Sequence, residues 1–483
     1  MFSFQSVKEY HRSLMNGQTT CVEAVSYYLE KISASSHLNA WLEIFESEAL
    51  QRAETLDKER QSGAVSGRLH GVVIGLKDVI CFKDHKVSAS SRILQGFTSL
   101  YNATSTARLL AEGAIIIGRQ NCDEFAMGSS NENSAFGPVK NAIDEERVPG
   151  GSSGGSAVAV QTGTCMISLG SDTGGSVRQP ADFCGIIGLK PSYGCISRYG
   201  LIAYASSFDQ IGIFAETIED IRLVLSVIGG PDEFDSTAYQ KAPSIVNNGF
   251  KDKKYRICYF KNALEHPSLD DAIAAGIKGF ISELKDLGHE VEPIDFELLD
   301  YIVPAYYVLT TAEASSNLSR YDGIKYGYRN NQEEQTLTQL YTTSRSEGFG
   351  AEVKRRILLG TFVLSEGYYD AYFSKAQKVR KLVTEKTTAV FNEFDAIILP
   401  TVPSPAYKIG EKKDPVEIFL ADIYTVYANL AGIPAISLPL FNNEQGLPFG
   451  IQLMASQHNE AFLLHLSELF LQMKKPELQT TVV

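Results

Sequence analysis

Two glycine–serine clusters, residues 150–156 (GGSSGGS) and 170–176 (GSDTGGS), constrain this chain more than any other feature. Glycine at that density lets the backbone reach positive φ and come close to a ligand. Serine adds hydroxyls. Residues 157–163 between the clusters are almost all small, which predicts a helix packed very close to a sheet. Residues 165–169 predict a short strand leading into the second cluster. Pro180 then stands where a first helical turn accepts it. Ser176 is therefore expected on a glycine-rich turn at or near a helix start, where unpaired N–H groups point outward.

Such a turn either cradles a phosphate or holds the oxyanion of acyl transfer beside a serine nucleophile. The phosphate version carries GxxxxGK[ST]. No such motif follows either cluster, so the oxyanion version is favoured. A lone Gly-Gly-Ser reads as an ordinary tight turn with a solvated serine. Ser152 and Ser176 stand 24 residues apart across a small-residue helix, and that pairing weakens the plain reading.

Residues 72–77 form an apolar run that ends on Lys77. Lysine is almost never fully buried unless paired. Alone, this run is a strand end reaching solvent; beside the serine clusters, Lys77 becomes a candidate for chemistry. The adjacent acids Asp123 and Glu124 invite a carboxylate-pair or metal reading. Neighbouring residues point in different directions on most backbones, so they make poor joint ligands.

Composition narrows the function classes. A chain of 483 residues is enough for a large core, and length alone suggests about three domains. No apolar run is long enough to span a bilayer, and the first residues lack a secretory segment. Seven cysteines lie scattered without a CxxC pair, which suits reduced thiols in a cytosol and not a disulfide frame or zinc site. The histidines form no HExxH or close pair. A net charge of −13 argues against strong nucleic-acid binding by this chain itself. Of the basic clusters at 251–256, 354–356 and 375–381, the first and third read as solvated faces.

Periodicity predicts amphipathic helices at 6–16 and 21–33, and 48–61 reads as a charged third helix; together they form a scaffold on the outside of the core. A helix at 104–112 followed by the β-branched run 114–117 predicts an α/β layer with a mostly parallel sheet. A helix at 218–228 stops at 229–232, and a polar connection runs over 235–254. A strand at 257–260, a helix at 269–287 and a strand from 291 make a β–α–β unit. Residues 301–381 read as mostly helical and tyrosine-rich. A buried strand at 397–401 and a closing helix at 460–473 follow, and the last ten residues read as loose.

The stretches GGSSGGS, GSDTGGSVRQP and CGIIGLKPSYG, with HGVVIGLKD at 70–78, resemble the signature of the amidase signature enzymes. That resemblance implies a Ser–cis-Ser–Lys triad. Ser176 would be the nucleophile, Ser152 the bridging serine after a cis peptide bond, and Lys77 the base, kept neutral by burial. The backbone N–H groups of Thr173, Gly174, Gly175 and Ser176 would hold the oxyanion, and loop 121–128 would wall the substrate pocket with Met127 and Gly128. The resemblance covers nearly the whole chain, most strongly residues 68–215. It implies an α/β fold with one large domain over 1–483, whose central mixed, mostly parallel sheet is covered by helices. Its parts would be an N-terminal helical scaffold (about 1–65), a catalytic core (about 66–230) and a C-terminal helical and strand part (about 231–483).

Residues 312–323, 345–350 and 355–361 narrow the resemblance to the glutamine-hydrolysing amidase subunits of tRNA-dependent amidotransferases. In that subfamily a tyrosine, an arginine and an aspartate hold the amino-acid end of glutamine; here they fall on Tyr307, Arg356 and Asp422. Arginine offers a bidentate site for an α-carboxylate, and aspartate accepts from an α-ammonium. The resemblance also implies a cytoplasmic heterotrimer with no membrane attachment. A B subunit would hold ATP, Mg²⁺ and most of the misacylated tRNA, and a small C subunit would brace the pair. This chain would carry no cofactor or metal. Two alternatives stand: a free-standing amidase acting on another small amide, and a scaffold subunit without catalysis.

Overall fold

The apolar runs at 72–76, 115–117, 397–399 and 435–438 are shielded from water in the computed structural model, where each forms a strand of one eleven-stranded sheet. Val and Ile dominate these runs, and their branched side chains fit a pleated surface better than a helix. The structure describes residues 2–64, 67–243, 245, 253–332, 336–412 and 414–478. In chain order the strands are β1 (Trp41–Ile44), β2 (Val73–Lys77), β3 (Ile115–Gln120), β4 (Ile167–Asp172), β5 (Ile187–Lys190) and β6 (Gln210–Ala215), then β7 (Arg256–Phe260), β8 (Glu290–Ile294), β9 (Ala396–Pro400), β10 (Ala435–Asn442) and β11 (Pro448–Met454). Across the sheet they lie β1-β3-β2-β4-β6-β5-β10-β11-β9-β7-β8.

The sheet is mixed, as expected, but parallel pairing does not dominate it. β3-β2-β4 and β9-β7-β8 are parallel runs at the two flanks, whereas six of the ten pairings, including all in the centre, are antiparallel. The reason is connection length, because a parallel neighbour needs a crossover helix. Thr104–Ala111 provides one between β2 and β3, and Asp271–Asp286 provides one between β7 and β8. The latter is the β–α–β unit expected from residue 257 onward. β10 and β11 instead join through a short turn, where the Asn443 N–H donates to the Leu447 carbonyl at 2.9 Å.

Three N-terminal helices form at Val7–Met15, Cys21–Ala34 and Glu46–Gln61. Thr20 and Glu23 cap the second reciprocally, which fixes its start. The helix Gly154–Gln161 lies tight against the end of β3 because it lacks side chains on that face. A methyl group on Gly154 would sit 2.6 Å from Asn131 Oδ1, and one on Gly155 would collide with the Asn121 carbonyl. β4 runs three residues further than expected, since Gly170, Ser171 and Asp172 still pair with Gly212, Ile211 and Gln210 of β6. The helix Arg178–Cys184 follows, with Pro180 in its first turn.

The expected helical stretch resolves into Leu299–Asn317, Leu337–Gly348, Ala351–Val363 and Lys375–Glu393. The polar connection at 235–254, the basic cluster at 251–256 and the tail lie partly outside the described residues. Among the described residues no helix is long and apolar enough to cross a membrane.

Candidate active site

β2 delivers Lys77 to a closed interior: every residue of the strand is buried, and so is the lysine. The plain alternative, a strand end in solvent, gives way to a cage of hydroxyls. Lys77 Nζ donates to Ser152 Oγ at 2.7 Å, Ser153 Oγ at 2.8 Å and Ser171 Oγ at 2.9 Å. Burial pulls the Lys77 pKa down to about 8, against the opposing pull of nearby acidic groups including Asp123, Asp172 and Asp209. Ser153 and Ser171 escaped the sequence reading. The signal for Ser153 was its place beside Ser152 in the same cluster; Ser171 depended on β4 running three residues longer.

Ser152 follows a cis Gly151–Ser152 peptide bond. Its carbonyl accepts the Asp123 N–H at 3.0 Å, and the Ser153 N–H donates to the Ser176 carbonyl at 3.2 Å. The two clusters thus clasp each other backbone to backbone. Lys77 and Ser152 are sealed, whereas Ser176 is 7% exposed. Its hydroxyl makes no hydrogen bond among the described residues, so the contact between Ser152 and Ser176 is not closed in the free protein. Such bonds often tighten only once substrate is bound.

Asp172 shapes the second cluster. Its carboxylate accepts the N–H groups of Gly175 (2.9 Å) and Val177 (3.1 Å), Arg178 Nε (3.1 Å) and Nη2 (2.9 Å), and Asn429 Nδ2 (3.0 Å). Burial alone would push this carboxyl up, but the Arg178 guanidinium overrides it and holds the pKa well below the usual carboxylate range. Arg178, equally buried, also donates to the Thr425 carbonyl (2.7 Å), Asn429 Oδ1 (2.6 Å) and Gln452 Oε1. One of the expected oxyanion donors is already engaged: the Gly175 N–H donates to Asp172 Oδ1 at 2.9 Å. The amides of Thr173, Gly174 and Ser176 donate to nothing among the described residues. Asp172 and Arg178 went unnoticed in the sequence, although two opposite charges flanking a glycine turn were a usable signal.

Three separate elements bring Tyr307, Arg356 and Asp422 together. The Tyr307 hydroxyl donates to Asp422 Oδ2 at 2.8 Å. Arg356 Nε donates to Glu352 Oε1 and its Nη1 to the Tyr204 hydroxyl, both at 2.8 Å. The guanidinium lies 5.3 Å from the Tyr307 ring centre and 5.5 Å from that of Tyr204. Burial pushes the Asp422 carboxyl up to about 7, against the Tyr307 hydrogen bond and the Arg356 charge. This clamp borders the glycine loop: the Thr425 hydroxyl donates to the Gly174 carbonyl at 2.7 Å, and Tyr306 fills the space a Gly174 side chain would need. A cavity of about 330 Å³, walled mainly by apolar side chains, reaches Tyr307. Nothing in the sequence spacing singled out Tyr204.

Met127 is fully buried in the main core. Gly128 backs the Asp123 carboxylate, which would collide with a side chain there or at Gly151. That carboxylate accepts the N–H groups of Asn131 (2.9 Å) and Asn133 (3.0 Å), and burial pushes it up to about 6. Glu124 turns away to the Ser91 hydroxyl and the Gly350 N–H. The two acids therefore do not converge, and among the described residues no three His, Cys, Asp or Glu side chains are grouped as a metal site requires.

The amidase family profile matches residues 23–464. The chain is 47% identical over 469 residues to the A subunit of a glutamyl-tRNA(Gln) amidotransferase from Chlorobium phaeobacteroides (strain BS1), covering 95% of this chain and 97% of that protein. It is equally identical, at 47%, to the protein of that name from Koribacter versatilis, covering 94% and 95%. A crystal structure of the glutamyl-tRNA(Gln) amidotransferase A subunit from Thermotoga maritima superposes with a TM-score of 0.76 at 35% identity, covering 95% of this chain and 92% of that one.

Proposed function

The chain belongs to the amidase family, and on that premise we propose that it is the glutamine-hydrolysing subunit of a tRNA-dependent amidotransferase. The observation that carries the reading is the clamp of Tyr307, Arg356 and Asp422 set against a loop whose Thr173, Gly174 and Ser176 amides are free. An amidase for simple amides needs the loop; only an amino-acid amide needs the clamp. The named relatives support the same reading.

In this reading the glutamine α-carboxylate lies on Arg356 and the α-ammonium on Asp422. Neutral Lys77 accepts the proton of Ser152 Oγ as Ser152 accepts that of Ser176 Oγ, and Ser176 Oγ bonds to the carboxamide carbon. The three free amides stabilise the resulting oxyanion, and each such donor is worth about 2.7–4 kcal/mol of barrier. Collapse breaks the C–N bond, the proton returns along the same relay to the leaving nitrogen, and ammonia departs. Water then attacks the glutamyl ester by the same route and releases glutamate. Ammonia passes to a partner subunit that holds ATP, Mg²⁺ and most of the misacylated tRNA, in a cytoplasmic complex braced by a third, small subunit.

Ammonia release from glutamine tests this, with wild type compared against Ser176→Ala, each alone and with both partner subunits and charged tRNA. The expected outcome is release by wild type that rises with partners, and loss of ~10³-fold or more in the variant. If glutamine is inert throughout while another small amide is cleaved through Ser176, the chain is a free-standing amidase.

A further inference from the structure

Residues 204–209 join the clamp to the oxyanion loop, and none of the steps above uses them. At one end, the fully buried Tyr204 accepts Arg356 Nη1 at 2.8 Å and donates to Thr310 Oγ1 at 3.0 Å. Its ring flanks the guanidinium. An arginine side chain has five N–H bonds in a fixed fork. Glu352 takes the one on Nε and Tyr204 one on Nη1; Nη2 makes no hydrogen bond among the described residues, which leaves that edge for a ligand carboxylate.

At the other end is Asp209. Its Oδ2 accepts the main-chain N–H groups of Tyr204 (2.9 Å) and Ala205 (3.0 Å), and its Oδ1 accepts the Thr173 hydroxyl at 2.7 Å. Thr173 carries one of the free oxyanion amides. One carboxylate therefore holds the tyrosine that seats the clamp arginine and the threonine that presents the amide. A loop that only filled space would not need both of its ends hydrogen-bonded to functional groups.

We propose that Tyr204 and Asp209 are positioning residues that tie the seating of Arg356 to the seating of Thr173. Cleavage is then fast only when an α-amino acid fills the clamp. The inference rests on the glutaminase reading and deepens it: the clamp governs the rate of the chemical step as well as affinity.

A double-mutant cycle tests this in the full chain with its partner subunits, with ammonia release from glutamine as the readout. Tyr204→Phe removes only the hydroxyl on Arg356, and Thr173→Val removes only the hydroxyl on Asp209; both keep side-chain volume. Thr173→Val is expected to lower kcat about tenfold with KM little changed, and Thr173→Ser to restore it. Tyr204→Phe is expected to raise KM and also to lower kcat about fivefold. In the double variant kcat should fall no further than in Thr173→Val alone, because the two changes cut one connection. If Tyr204→Phe alters KM alone, or if the two kcat losses multiply, the connection does not exist. If wild type releases no ammonia from glutamine under any condition, it is the glutaminase reading that falls.

Discussion

Two lysines of this protein end buried strands on the same tripeptide, Gly75-Leu76-Lys77 in β2 and Gly188-Leu189-Lys190 in β5. Both are fully buried, and burial pulls both down, to about 8 for Lys77 and about 7 for Lys190. Their partners differ. Lys77 faces three serine hydroxyls. Lys190 faces carbonyl oxygens: Pro191 at 2.8 Å, Ile433 at 2.6 Å and the Gln210 side-chain oxygen at 3.4 Å. A carbonyl only accepts, whereas a hydroxyl accepts and donates and can therefore pass a proton on. Depth and lowered basicity make a lysine available as a base; the chemistry of its neighbours decides whether it has anywhere to send the proton. Lys190 has none, and its role is to satisfy the main-chain acceptors that lock β5 to the turn before β10.

The sharpest way to break this contrast is substitution. Lys77→Met should lower kcat ~10³-fold at neutral pH, within the range usual for loss of a general base. Lys190→Met should leave kcat per folded molecule within about threefold; a matching collapse there would end the comparison. Stability should run the other way. Lys190→Met strands buried carbonyls at ~1–3 kcal/mol for each acceptor left unpaired, seen as a lower urea midpoint. Lys77→Met leaves serines that can still pair locally, as Ser153 does with the Ser171 carbonyl at 3.1 Å, and should lose less.

The pH profile sharpens the assignment. On the proposed mechanism the active form of Lys77 is unprotonated, so kcat/KM should rise about tenfold per pH unit below the Lys77 pKa and level off above about 8. That limb should survive in Lys190→Met. The smallest effect concerns another buried cation, Arg356. Arg356→Lys loses the fork that matches a carboxylate, and should raise KM for glutamine about tenfold while changing kcat less.

Much of the architecture was legible because glycine and serine are informative when dense. The turn carrying Ser176, the small-residue helix and Lys77 at a strand end all follow from residue type and spacing. β1 was not legible, since the four residues Trp41–Ile44 are too few to show a period. The antiparallel centre was hidden for a different reason: a buried strand looks the same in either direction, and only its connection tells. Within the site, the serine–lysine centre is encoded locally. The clamp is assembled from three helical or turn segments far apart in sequence, and only family resemblance pointed to Tyr307, Arg356 and Asp422. Tyr204 and Asp209 are tied to segments distant in sequence by single hydrogen bonds, which leave no periodic trace. The Gly175 amide shows the limit of reading a motif alone: its direction depends on Asp172, whose own position depends on Arg178.

The acceptors of Arg178 also carry a consequence in time. A chain leaves the ribosome N-terminus first, so Lys77, Ser152 and Ser176 emerge long before Thr425, Asn429 and Gln452. Until those three arrive, Arg178 has only Asp172 to hold, and the loop beside Ser176 lacks the frame that aims its amides. On the proposed mechanism, a half-made polypeptide carries Lys77, Ser152 and Ser176 without the frame around Arg178, and it is expected to consume no glutamine. On that reading, hydrolysis waits for β11, whose Gln452 completes the partners of Arg178.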